Sequence, residues 1–269
     1  LQPFLAGNVL SVMLIAAARV RSGIYAKTEN REALLKAVLG FQELLFTLIK
    51  ALLFVLPLGI LAFAGQLRQI EAGVIVGALG KYTLVIMASN CVQFFIVLPI
   101  FLLARGLNPI DVFKKMSPAV AVALFTKSSA GTLPVTMASA EQNMKVNKAV
   151  SRFVLPICTT INMKAALFIL ITSIFVMQNA GFELSMTTML TWLLVSVLAA
   201  VGNAGVPMGC YFLTLSLMSG IGAPIGIMGI ILPIYTIIDM VETAENVWSD
   251  SCVCAMTDHD LKGKIAEEE

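Results

Sequence analysis

Twice in this chain an apolar stretch breaks off before it is long enough to cross a bilayer, and then resumes. Residues 111–126 and 132–143 flank Lys127-Ser128-Ser129-Ala130-Gly131-Thr132-Leu133-Pro134. Residues 187–201 and 210–219 flank Gly202-Asn203-Ala204-Gly205-Val206-Pro207-Met208-Gly209. A spanning helix needs about 20 apolar residues, so none of the four pieces spans. Irregular backbone is tolerated at membrane depth only where protein buries it or where it lines a wet cavity. Each pair therefore reads as a re-entrant helical hairpin, about 111–143 and about 187–219. A long apolar segment follows each, 147–178 after the first and 226–257 after the second. Interrupted segments at matching places in two halves point to inverted repeats around a midplane binding site. Two unrelated interfacial loops are the alternative.

Further apolar segments cover residues 6–26, a stretch ending near 65, and 71–104. The chain is 58% hydrophobic and 13% charged, against about 45–50% and about 25% in an ordinary soluble domain. The expected class is an all-α polytopic membrane protein, surrounded by lipid. A barrel would need repeated segments of about ten alternating residues, and the sequence has none. A net charge of +2 gives no basic field for nucleic acid. Cys252-Val253-Cys254 is close to a metal motif, but the only histidine is His259 and the flanks read as helix, so no structural metal is expected. Ser128-Ser129 has no nearby histidine and the cysteines have no activating partner, so no enzyme is expected. The chain begins at Leu1 with no signal peptide and reads as a piece of a longer protein. Placing residues 19–36, 105–115, 145–152 and the C-terminus on one side collects thirteen Lys and Arg there, against Arg68 and Lys81 opposite. The basic side, with the tail 258–269, is expected to be cytoplasmic, and the membrane to be a bacterial inner membrane.

The last segment carries polar residues at Asp239, Glu242, Thr243, Asn246 and Asp250. At about 100° per residue they fall within about 100° of one another, on one helix face, and Glu245 lies well off it. Such a stripe cannot face lipid, where each charge costs about 2.5–3.5 kcal/mol or more. It must face a cavity, a partner charge or a bound cation. The other anomaly is Thr159-Thr160-Ile161-Asn162-Met163-Lys164-Ala165-Ala166-Leu167, which puts an ammonium group deep in an apolar run.

Four motifs now resemble the dicarboxylate/amino acid:cation symporters, the glutamate-transporter fold. They are the serine-bearing tip from Lys127 to Thr136, Thr160-Ile161-Asn162-Met163, Ala204-Gly205-Val206-Pro207, and the spacing Asp239, Thr243, Asn246, Asp250. Residues 1–105 fit the family's fourth to sixth helices more weakly, and its first three helices have no counterpart in this sequence. The resemblance implies a homotrimer with scaffold helices at 1–68 and a transport domain at 69–257 that moves as an elevator. It implies that Ser129 and the hairpin backbone around it, including Ser128 and Thr132, touch the substrate carboxylate. Asp239, supported by Thr243, would take the substrate ammonium, and Asn246 the α-carboxylate. Asp250, with carbonyls near Asn162 and Asn246, would coordinate sodium. Gly205 and Val206 would belong to the extracellular gate. No organic cofactor is implied.

Three departures bear on the activity. Family members that carry acidic amino acids have arginine at the position of Glu242 and threonine at that of Ala166. A glutamate there repels a second carboxylate, and the low dielectric makes that severe. A neutral amino acid, of the kind taken by serine/threonine members, is the expected substrate. The alternatives are an acidic or dicarboxylate substrate, a cationic one, or a degenerate or substrate-sensing protein that does not transport. Lys164 stands where the family has an aspartate that helps hold sodium. Three readings are open: its ammonium replaces an ion and lowers the sodium stoichiometry, it titrates and couples a proton, or it disables the site.

Overall fold

The computed structural model describes residues 72–262, apart from 162, 204 and 206, and scattered helical positions between 33 and 54. Of 72–76, 163 and 164 it describes the backbone alone. The chain separates into two compact units, Leu1–Val76 and Gly77–Glu269. In the first, the described positions from Ala33 to Phe54 are helical, and the Thr47 hydroxyl donates to the Glu43 carbonyl one turn back. The rest of the expected scaffold, 1–68, lies outside the described residues.

The second unit has no strand among its described residues. Helix α1, Ala72–Val92, passes through a π-helical turn, Gln93–Val97, into α2, Leu98–Ala104. The first hairpin is α3, Pro109–Thr126, with α4, Ser129–Gln142. The interrupted helix is α5, Lys148–Thr160, with α6, Met163–Asn179. The second hairpin is α7, Met186–Val201, with α8, Gly209–Gly220, and α9 is Gly226–Leu261. Among the described residues, Gly77–Ala104, Lys148–Asn179 and Gly226–Leu261 are long and apolar enough to cross a membrane. The hairpin helices have 18, 14, 16 and 12 residues. This is the all-α polytopic pattern with hairpin and long helix occurring twice.

Local chemistry sets the ends of these helices. Asn108 caps α3, its side-chain oxygen accepting from the Ile110 and Asp111 amides, and Pro109 follows at the first helical position. Ser128 caps α4 by accepting from the Gly131 amide at 3.0 Å. Lys127 ends α3 in the left-handed region, with φ at 52°. The tip is thus two residues, Lys127 and Ser128, and not the eight from 127 to 134 that composition suggests. The serine cap restarts the helix at once, and Pro134 is accommodated inside α4. Helix α9 also runs further than 257. Asp258 accepts from the Asn147 amide at 2.9 Å and Asp260 pairs with Arg105, so the start of the expected tail is anchored as helix.

Helix α9 packs on α3, α5, α4 and α6. Every residue from Glu242 to Cys252 is buried, so over this stretch the helix is enclosed on all its faces. Glu245, off the polar stripe, is as inaccessible as the residues on it. It borders a cavity of about 320 Å³ shared with Asn90, Phe94 and Phe113. In the first hairpin α3 lies along α4; in the second, α7 and α8 each lie against α6 more extensively than against each other. At the π turn the Trp248 indole donates to the Phe94 carbonyl at 3.3 Å. A π turn loosens the helical bonding pattern, and Trp248 takes up one of its carbonyls. The same indole meets Phe113 edge-on, with ring centroids 5.3 Å apart.

Candidate functional site

The two hairpin tips meet through one backbone group. The Gly205 carbonyl accepts from the Ser128 hydroxyl at 2.8 Å and from the Ala130 amide at 3.2 Å. Gly205 is buried against the end of α5. A Cβ there would lie 3.0 Å from the Thr159 carbonyl oxygen, 3.2 Å from the Ser129 Cβ and 3.3 Å from the Ala130 nitrogen. Only a residue without a side chain fits between backbone atoms this close. Ser129 and Thr132 are buried behind the first tip, and the Thr132 hydroxyl donates to the Ser128 carbonyl at 2.8 Å.

The polar stripe of α9 makes contacts at two levels, with the start of α8 and with the end of α5. Asp239, Glu242, Thr243, Asn246 and Asp250 are all buried. Asp239 accepts from the Met208 amide at 3.3 Å and from the Tyr235 hydroxyl at 3.3 Å. Met208 begins α8 in the left-handed region, with φ at 62°, so this carboxylate sits at the positive end of a helix, where negative charge is favoured. The Thr243 hydroxyl donates to the Asp239 carbonyl at 2.7 Å, one turn along. Three turns from Asp239, Asp250 receives the Thr159 hydroxyl at 3.5 Å. Thr159 lies in the last turn of α5, where carbonyls run out of helical partners and the dipole favours cations.

The arrangement therefore joins Ser128, Ser129, Thr132 and Gly205 through Thr159 to Asp250, and through α8 to Asp239. Glu242 and Asn246 lie on the same stripe, and Ala166 is half-buried on α6. Asn162, Val206 and the Lys164 side chain fall outside the described residues. Sequence reasoning missed Thr159, Tyr235 and the Met208 amide. Tyr235 had a signal, since it lies four residues before Asp239 and extends the stripe by a turn; the Met208 amide had none, because a backbone donor leaves no mark on composition. Among the described residues no three His, Cys, Asp or Glu side chains converge as a metal set. The Asp250 carboxylate with the Thr159 hydroxyl and the α5 carbonyls is a different donor class: hard oxygens, which suit a hard cation, and in that respect the residues fit sodium. A concavity of about 760 Å³ lies elsewhere, between Phe94, Leu103, Pro109 and Trp248, with an almost wholly apolar lining.

The model of the sodium:dicarboxylate symporter family matches residues 1–260. The chain belongs to that family. Symporters of this family are integral membrane proteins, as the apolar helices require of this chain. Excitatory amino acid transporter 1 of Bos taurus is 32% identical over 248 residues, which cover 89% of this chain and 46% of the relative. The Homo sapiens transporter of that name gives the same figures. Excitatory amino acid transporter 3 of Mus musculus is 32% identical over 208 residues, 76% of this chain and 40% of its own length. The chain thus spans less than half the length of these relatives.

Proposed function

We propose that this protein is a secondary active transporter that couples sodium to the uptake of a neutral amino acid. The observation that carries the reading is the buried carboxylate stripe of α9 where it meets the start of α8 and the end of α5. Asp250 and Thr159, with carbonyls near Asn162 and Asn246, hold the sodium ion. Asp239, backed by Thr243, takes the substrate ammonium; Asn246, Ser129 and the tip backbone, with Ser128 and Thr132, take its carboxylate. Gly205, Val206 and the second tip form the gate. Residues 69–257 move as the elevator against scaffold helices at 1–68, three protomers together, with the C-terminus on the cytoplasmic side. The bacterial inner membrane expected from the sequence belongs to this proposal; the relatives described above are animal proteins.

Glu242 decides the substrate class in this reading. It is buried on the stripe, and Ala166 has no hydroxyl to offer a second substrate carboxylate, so such a carboxylate meets repulsion without a partner. The name of the relatives, excitatory amino acid transporters, favours a second reading in which the substrate is acidic. Lys164 supports a lowered sodium stoichiometry, with its ammonium in the place of an ion; proton coupling and a non-transporting, sensing protein are the other outcomes. Competition uptake into proteoliposomes tests all of these. Sodium-dependent uptake of labelled serine, threonine or alanine that excess L-aspartate leaves intact is expected. Efficient L-aspartate uptake with the three neutral amino acids inactive assigns the acidic reading, and binding without uptake assigns the sensor.

A further inference from the structure

Asp239 is held by two donors that belong to different elements. The Met208 amide, at the start of α8, meets one carboxylate oxygen at 3.3 Å, and the Tyr235 hydroxyl meets the other at 3.3 Å. The first donor rides on the second hairpin. The second sits on α9 itself, four residues before the carboxylate it serves, and side chains at that spacing share a helix face. The Tyr235 ring is inaccessible. It packs on Phe168 of α6 with ring centroids 4.5 Å apart, and on Tyr211 of α8 with centroids 5.6 Å apart. A hydroxyl on a ring clamped from two sides has little freedom to point elsewhere. The neighbouring Tyr211 hydroxyl is engaged differently, donating to the Met228 carbonyl at 2.9 Å.

We propose that Tyr235 is a positioning residue that keeps Asp239 aimed while the second hairpin is open, so that the substrate ammonium is captured before closure. The inference rests on the transport reading above, in which the second tip is the gate. Opening that gate carries Met208 away with the tip. The bond from Tyr235 survives, because donor and acceptor lie on one helix and need no second element. A carboxylate without a donor turns about its side-chain bonds, whereas one hydrogen bond to the charged group fixes its direction. When the gate closes, the Met208 amide returns as the second donor and Asp239 is held at both oxygens through the crossing. The two donors thus divide the cycle: Tyr235 serves capture, and Met208 serves the closed state.

That division is measurable. Tyr235→Phe keeps the ring and removes the donor. In proteoliposomes holding the full-length protein, Y235F is expected to raise the KM for the best of serine, threonine and alanine about tenfold, the worth of one hydrogen bond to a charged group, with the maximal rate within about twofold of native. The sodium midpoint of the substrate-free protein should not move, because Asp250 lies three turns further along α9. Tyr211→Phe is the control for packing: it deletes an adjacent buried hydroxyl whose partner is a carbonyl, and should lower the melting temperature while leaving KM alone. A role in packing alone would lower affinity and maximal rate together, or would appear equally in both variants. An unchanged KM in Y235F, a maximal rate that falls in step with the rise in KM, or a Y211F protein with the same rise would each overturn the inference. Native protein that takes up no amino acid would sink the transport reading and this inference with it, whereas native uptake with an indifferent Tyr235 sinks this one alone.

Discussion

Gly205 shows what a single missing side chain does here. Its carbonyl accepts both bonds between the tips, and its Cα has backbone atoms on two sides. Gly205→Ala should therefore destabilise the protein by about 1–3 kcal/mol, the usual range for forced overpacking. Melting in detergent reads it, with Gly220→Ala as the control, because a Cβ at Gly220 meets nothing within 4 Å. Thr159→Val keeps shape and removes the hydroxyl that reaches Asp250. Loss of one hydrogen bond to a charged group is worth about 1.5–3 kcal/mol, so sodium should bind at least tenfold more weakly in a thermal-shift titration. An unchanged sodium midpoint would remove Thr159 from the cation site. At this scale the sequence was only half legible. Spacing alone placed Asp239 and Asp250 on one face, because periodicity is a property of the helix itself. It did not reveal that Thr159 meets Asp250 or that Met208 caps Asp239, because those contacts join residues 91 and 31 positions apart.

Among elements, the hairpins were legible and their internal packing was not. The breaks at Lys127-Ser128 and near Gly205 are written in Ser, Gly and Pro, residues whose backbone preferences are local. That α7 and α8 lie mainly on α6 depends on side chains elsewhere, and the apolar pattern of each helix is the same whichever neighbour it meets. The π turn in the first long helix was likewise invisible, since Gln93-Phe94-Phe95-Ile96-Val97 reads as ordinary apolar helix. Its partner is Trp248. Trp248→Phe keeps the ring and loses the donor to Phe94, and about 1 kcal/mol of stability should go with it. Trp248→Ala also empties the space against Phe113, and should cost about 3–5 kcal/mol. Equal melting temperatures for W248F and the native protein would mean that the Phe94 carbonyl finds another donor.

For the molecule as a whole, the fold class followed from composition and segment length, and the succession of hairpin and long helix followed from the breaks. What did not follow is that α9 is the centre of the bundle. An amphipathic stripe suggests a helix with one face turned inward. Here Glu245 on another face is enclosed as well, against α1 and α3, so the helix is surrounded from Glu242 to Cys252. The centre of this bundle is therefore made after the helices that surround it. Chains emerge from the N-terminus at about 5–20 residues per second. For that interval α3 to α6 sit in the bilayer around a space their later occupant has yet to fill, with Thr159 lacking the Asp250 carboxylate it will meet. A chain stopped after residue 225 should insert, yet remain sensitive to added protease and to membrane quality-control proteases, and supplying residues 226–269 as a separate fragment should restore resistance. A lesion in α9 would then be read by the cell as an unfinished bundle before it was ever read as a loss of activity.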